Sequence, residues 1–346
     1  MPNVQSGAAQ NATLCQSRTP MLPAPDEALH ELRRVVFWRS VAGDRSSRNP
    51  ARPVARLIAV CDLFWAGAAG HDVFRGSSMA VIRTRDLRID TPRGRLFTRC
   101  WSPGAGNPGR AVPIVLFHDS LGCVALWRDF PERLAQASGR TVIAYDRLGF
   151  GRSDPHPGRL DRDFVQDEAR GAFAAVREQL RIERFIAFGH SVGGGMAVAC
   201  AARHAPACIA LVTESAQAFV EDRTIQGIGD ARRSFQAAGQ RDRLVKYHGD
   251  KTDWVLAAWI ETWLAPDFAG WNLDADLRGV HCPVLALHGD HDAYGSVRHP
   301  RRIAEQVAGP ATVVILPDCG HVPHREQPEA VLARVTVWLD GAVGRE

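Results

Sequence analysis

At 346 residues the chain has room for one large domain with an insertion, or for two ordinary domains. Its 45% hydrophobic and 23% charged content is that of a globular protein, not of a disordered or fibrous one. A net charge of +4 over this length leaves no basic face that argues for nucleic acid, and none is expected as a partner.

The small positive excess is concentrated at the start. Residues 1–78 carry nine Arg against six Asp and Glu and are rich in Ser, Ala, Pro and Gly. Their two apolar patches, 35–38 and 57–65, are too short for a core of their own, so a poorly ordered N-terminal extension is expected, with folded order beginning near Met79. A regulatory or targeting segment is the alternative. The apolar stretch 57–69 is short and holds Asp62, which argues against a membrane span and a signal peptide alike. No membrane partner is expected. The eight cysteines are scattered, without CxxC pairs or zinc-finger spacing. Reduced thiols, no bound metal and a cytoplasmic setting are the expectation.

From residue 82 the pattern changes. Extended runs at 83–90 and 95–101 flank Thr91-Pro92-Arg93-Gly94, which predicts a β-hairpin. Short runs that are apolar on both faces follow at 112–118, 141–145, 184–189, 208–213, 283–288 and 311–316; each predicts a covered parallel strand. Helical patterns fall between and after them at 126–137, 164–180, 194–203, 301–307 and 329–339. This alternation predicts an α/β fold, a doubly wound, mostly parallel sheet. Residues 216–277 interrupt it. They hold no convincing strand but carry Trp254, Trp259 and Trp263 at roughly helical spacing, then Trp271. A helical cap over 216–277 is expected, inserted into a core made of 79–215 and 278–346. Its Trp row serves either to pack the cap on the core or to form an apolar underside over a cleft.

The densest chemical signal is Gly189-His190-Ser191-Val192-Gly193, set between a buried strand and a helix of small residues. That context is what a nucleophile elbow requires: a sharp strand-to-helix turn that projects Ser191 above the sheet, with a helix N-terminus behind it to favour developing negative charge. A serine nucleophile needs a base, and the base an orienting acid. Acids occur in Gly289-Asp290-His291-Asp292 and a histidine in Gly320-His321, each just past a strand. The order Ser, Asp, His and the strand-end positions suit an open α/β sheet. Asp290, Asp292 and Glu214 are the candidate acids; His321 and His324 are the candidate bases. His190, next to Ser191, is expected to point away and serve structurally.

These motifs resemble those of the α/β-hydrolase superfamily, in its esterase and enol-lactone hydrolase-like group, from about residue 82 to 339. His118-Asp119-Ser120-Leu121-Gly122 is similar to its oxyanion loop, and Asp146-Arg147-Leu148-Gly149-Phe150-Gly151-Arg152-Ser153 to its D-x-R-G-x-G-x-S segment. Gly289 to Asp292 matches its acid turn. Gly320-His321 with Glu326-Gln327-Pro328 matches its histidine segment. The resemblance implies Ser191 as nucleophile, His321 as general base and Asp292 as its partner, with the backbone N–H groups of Ser120 and Val192 as the oxyanion hole. One position departs: Asp119 stands where the family usually has Gly. Its carboxylate is expected to turn outward or to hydrogen-bond local backbone, because beside the hole it opposes an oxyanion.

The implied reaction is cleavage of a carboxylic ester or lactone of a small, apolar substrate through an acyl-enzyme, with no metal or organic cofactor. Ser120-Leu121-Gly122 with Trp127 resembles enol-lactone hydrolases. Carbon–carbon bond hydrolysis and cofactor-free haloperoxidase activity occur on the same triad. A non-catalytic binding protein is the reading from another class, which the presence of all three residues disfavours.

Overall fold

The computed structural model describes residues 81–104 and 112–343; the extension expected over residues 1–78 lies outside the described residues. The predicted hairpin is formed by β1 (Ile82–Thr91) and β2 (Gly94–Pro103), paired in unbroken register from Ile82 opposite Pro103 to Thr91 opposite Gly94. Gly94, at φ +140°, makes the reversal that a side chain would strain.

The chain then alternates: β3 (Ile114–Phe117), α1 (Phe130–Ser138), β4 (Val142–Tyr145), α2 (Phe164–Arg170), α3 (Ala172–Gln179), β5 (Phe185–His190), α4 (Val192–Arg203) and β6 (Cys208–Glu214). Four helices follow without an intervening strand: α5 (Asp222–Phe235), α6 (Asp242–His248), α7 (Thr252–Trp263) and α8 (Asp274–Leu277). The alternation resumes with β7 (Val284–Gly289), α9 (Arg298–Gln306) and β8 (Ala311–Leu316), and ends on α10 (Pro323–Glu326) and α11 (Pro328–Ala342). The eight strands form one sheet in the order β1-β2-β4-β3-β5-β6-β7-β8. β3 to β8 run parallel, and the hairpin joins antiparallel at β4. This is the doubly wound α/β sheet with a helical insertion that the strand–helix alternation predicts.

Each central strand feeds two cores. In β3, Val115 and Phe117 face one side and Ile114 and Leu116 the other; in β5, Ala187 opposes Ile186 and Phe188. One core is completed by α2, α3, α4 and α9 through residues such as Val165, Phe173, Met196 and Ile303. The other is completed by α1 and α11 through Phe130, Leu134, Val331 and Val335. Burial on both faces explains why these strands read as continuous apolar runs rather than as alternation.

The helices at 194–203, 301–307 and 329–339 form with ends moved by up to three residues, and two others differ more. The helix predicted over 164–180 divides at Gly171, whose φ −105° and ψ −96° leave the helical region; glycine is a poor helix former and tolerates the break. The helix predicted over 126–137 starts later. Val124–Trp127 is a 3₁₀ turn, Arg128 takes φ +55°, and α1 begins at Phe130 with Pro131 in its first turn. Proline fits there because that N–H has no partner within the helix.

The insertion is fastened at both ends. Phe219 and Asn272 form a bridge at its base, and Leu273 N–H donates to Ala218 O. Further out, His248 accepts from Gly151 N–H at 3.0 Å and donates from Nε2 to Leu121 O at 3.0 Å. Lys251 Nζ donates to Gly151 O and Trp254 Nε1 to Gly158 O. Because β3 and β5 to β8 are parallel, the loops that follow them converge at one edge of the sheet, beneath these helices.

Candidate active site

Ser191 lies between β5 and α4 at φ +57° and ψ −128°, a backbone state that costs a non-glycine residue about 1–3 kcal/mol. The surroundings over-determine it. Ser191 N–H donates to Glu214 O at 2.9 Å, and Ser191 O accepts from Gly194 N–H at 2.8 Å. The flanking glycines are required by close approach: a methyl on Gly189 would lie 2.0 Å from Gly193 O, and one on Gly193 would lie 2.1 Å from Phe117 O. The elbow is therefore clamped against the end of β3, where the oxyanion-like loop begins.

His321 and Asp292 reach Ser191 from the loops after β8 and β7. His321 Nε2 is 3.0 Å from Ser191 Oγ, and His321 Nδ1 is 2.9 and 2.8 Å from the two Asp292 oxygens. The two loops meet at Gly289, where a methyl would lie 2.2 Å from the carbonyl oxygens of Cys319 and Gly320. Asp292 is buried and also accepts from the N–H groups of Tyr294 (2.7 Å) and Gly295 (3.2 Å). Burial raises its pKa, but the charge and hydrogen bond of His321, then His288 and the Tyr294 N–H, outweigh this and hold it at about 2. Burial disfavours charge on His321 too. There the Asp292 carboxylate and its hydrogen bond, with lesser help from Asp119 and Glu214, raise the pKa above the ordinary histidine value.

The loop at 118–122 is built from beneath by the Asp146–Ser153 segment. Arg147 donates from its backbone N–H (3.2 Å) and Nε (3.3 Å) to His118 Nε2, and from a guanidinium N–H to Asp119 O at 2.9 Å. His118 Nδ1 donates to the same Asp119 carbonyl at 2.8 Å. Buried Asp146 accepts from Val124 N–H and Arg152 N–H; desolvation, opposed by those two bonds, leaves its pKa at about 6. A methyl on Gly151 would lie 2.1 Å from Asp146 Oδ2. Asp119 folds over its own turn: Oδ2 accepts from Leu121 N–H at 3.4 Å, and Gly122 N–H donates to Asp119 O at 3.2 Å. Its Oδ1 lies against Gly122 and 3.9 Å from His190 Nδ1. The local backbone bond matches the expectation for this residue, which also stands in the wall of the cavity over Ser191.

The side chains of the competing candidates make hydrogen bonds elsewhere than to Ser191 Oγ. Asp290 accepts from Cys319 N–H at 3.3 Å. Glu214 and His324 form a second buried pair, with Glu214 Oε2 2.5 Å from His324 Nδ1. His324 packs on Trp127 and Phe130, with ring centroids 4.6 and 5.4 Å away. His190 is buried beside them and donates from Nε2 to His321 O at 2.8 Å. Burial, with the neighbouring His324, lowers its pKa to about 4. Among the described residues, His190, Glu214 and His324 are the one grouping of three side chains close enough to share a metal ion. The hydrogen bonds just given already engage one nitrogen of each histidine and Glu214 Oε2.

A cavity of about 180 Å³ opens over Ser191 and His321. Asp119, Ser120 and Leu121 form one wall; Thr224, Ile228, Trp259 and Trp263 of the insertion form another, with Tyr294 beside His321. Of the Trp row, Trp259 is the partly exposed ring at the cavity; Trp263 is buried at its margin and packs edge-on against Phe268 and Trp271, which stack at 5.5 Å. Gln217 carried no signal in the sequence. It is buried in the cavity wall with Oε1 3.3 Å from Ser191 Oγ. Its position just past the end of β6 was the only available pointer, and an isolated Gln has no spacing to recognise.

The fold and this constellation define a hydrolase-type α/β protein. The model of the alpha/beta hydrolase family matches residues 114–334, and the chain belongs to that family. Among curated relatives it is 38% identical over 100 residues to the 2-hydroxymuconate semialdehyde hydrolase of Pseudomonas sp. (strain CF600). That match takes in 28% of this chain and 34% of the relative, so the chain spans about a third of that protein's length. The enol-lactonase from Burkholderia xenovorans LB400 superposes with a TM-score of 0.57 at 22% identity, over 73% of this chain and 99% of that one. A carboxylesterase from Bacillus subtilis gives the same TM-score and identity, over 76% and 94%. At these identities the structural likeness is one of fold.

Proposed function

We propose that the chain is a serine hydrolase that cleaves a carboxylic ester or lactone through an acyl-enzyme. The observation that carries this reading is the unbroken line from Asp292 through His321 to Ser191 Oγ, ending in a cavity. Ser191 Oγ attacks the substrate carbonyl carbon as His321 Nε2 takes its proton. The oxyanion is held by the N–H groups of Ser120 and Val192, each worth about 3–4 kcal/mol in the transition state. Asp292 stabilises the imidazolium and fixes the tautomer with the proton on Nδ1. His321 then protonates the leaving oxygen, and water, deprotonated by the same nitrogen, releases the acid. Gln217 Oε1 offers the serine proton a second acceptor at 3.3 Å; the shorter His321 contact is the productive one. In this reading α5 to α8 act as a cap that restricts the cavity to small substrates, and no metal or organic cofactor takes part.

Short- and medium-chain p-nitrophenyl esters and lactones, assayed with wild type and Ser191→Ala, test the proposal. Turnover by wild type that collapses in the variant supports it; equal rates overturn it in favour of a binding protein on the same fold. Carbon–carbon bond hydrolysis is the second reading, favoured by the identity to the 2-hydroxymuconate semialdehyde hydrolase. Turnover of 2-hydroxymuconate semialdehyde, a vinylogous 1,5-dicarbonyl, with none of the esters would select it.

A further inference from the structure

The cavity over Ser191 has one fixed charge. Asp119 is its single acid, and neither Lys nor Arg lines it among the described residues. The Asp119 side chain is 32% exposed, and the residue stands in the cavity wall with Ser120 and Leu121. Burial opposes its ionisation, but His190 and His118, then Arg325 and His321, keep its pKa below the usual carboxylate value. The long 3.4 Å bond from Leu121 N–H leaves most of its acceptor capacity unused. Trp259, Trp263 and Tyr294 line the same space. Trp259 and Tyr294 meet edge to face at 5.9 Å, and Tyr294 lies 4.7 Å from the His321 ring.

Aromatic rings and a carboxylate around one cavity are the surroundings that recognise an organic cation. A neutral ligand would strip water from Asp119 without replacing its contacts, and an anionic one would be repelled. The oxyanion of the proposed reaction would also form beside a fixed negative charge. A bound cation offsets both costs.

Resting on the reading of Ser191 as nucleophile, we infer that the substrate is an ester or lactone bearing an ammonium or quaternary ammonium group, held between Asp119 and the Trp259 and Tyr294 rings. Asp119 is then the residue that sets specificity, which explains an acid at a position where glycine would leave the oxyanion loop neutral.

Binding to full-length Ser191→Ala protein tests this without turnover. Choline and its neutral isostere 3,3-dimethyl-1-butanol are titrated against it by calorimetry at low and high salt. Choline is expected to bind about tenfold more tightly or better, a margin that narrows with salt. Adding Asp119→Asn, which keeps an acceptor for Leu121 N–H and hence the turn, is expected to bring the two ligands to near-equal affinity. Absence of choline binding, equal affinities before that change, or a preference unaltered by salt and by Asp119→Asn overturns the inference. A choline preference that stands while wild type turns over neither the neutral ester panel nor choline esters would count against the reaction and leave the cation site. Ester turnover without a choline preference would do the reverse.

Discussion

Two His–carboxylate pairs sit side by side at the edge of this sheet, and their chemistry is nearly the same. In one, Asp292 meets His321 Nδ1 at 2.8 Å; in the other, Glu214 meets His324 Nδ1 at 2.5 Å. Both carboxylates are buried, and both are held below their ordinary pKa although burial opposes it, chiefly by the partner histidine. What separates them is the far side of each imidazole. His321 presents Nε2 to Ser191 and to a cavity. His324 is closed in by Trp127 and Phe130. A carboxylate and a histidine in contact do not by themselves make a candidate site; a nitrogen aimed at a hydroxyl and at open space does.

Substitutions can break this contrast. The largest effect is expected at Ser191→Ala, a loss on the order of 10⁶ in turnover at unchanged fold, read as ester kcat and thermal midpoint. Asp292→Asn should cost on the order of 10⁴ in kcat, because the amide stabilises the wrong imidazole tautomer and supports no imidazolium. Glu214→Gln is the matched control. It should lower kcat less than about tenfold while lowering stability by about 1–3 kcal/mol through the weakened buried bond to His324, read by denaturant unfolding. If Glu214→Gln cost as much turnover as Asp292→Asn, the two pairs would not be distinct in role.

The pH dependence sharpens the comparison further. His321 must be neutral to accept the serine proton, so kcat/KM should rise with pH through a pKa above the ordinary histidine value. Asp119 contributes to that elevation, so Asp119→Asn should move the rising limb to lower pH; a shift to higher pH would contradict this electrostatic account. Stability carries the opposite signs for the two partners. The depressed Asp292 stabilises the fold above its unfolded pKa, a contribution lost as pH falls toward about 2. The raised His321 stabilises it below the unfolded histidine pKa, a contribution lost as pH rises through the folded value.

Most strands were legible because each is an apolar run bounded by turn residues. The strand predicted at 311–316 coincides with β8, and the others differ by a residue or two at their ends. The helix at 164–180 was legible as a pattern, but not its break at Gly171, because periodicity continues across the break. At the candidate site, Ser191 stood out from its strand–turn–helix context, whereas His321 and Asp292 were singled out from His324, Asp290 and Glu214 only by the resemblance of their turns to those of the family. Gln217, Thr224 and Tyr294 could not be named at all. Each is a single residue brought to the cavity by tertiary packing, with no local pattern around it.

The sequence by itself determined the order of strands and helices, the elbow at Ser191 and the presence of an insertion, since these follow from hydrophobic periodicity and from glycines at fixed offsets. Only the tertiary structure decided which acid meets which histidine. Asp290 and Asp292 are two residues apart and chemically alike, and Glu214 is as buried as Asp292. Their partners come from loops more than twenty residues away, joined by the contact of Gly289 with Cys319 and Gly320. The same holds for Asp119. The chain shows an acid in a position where the family resemblance leads one to expect glycine, but only the fold places it in the wall of the cavity.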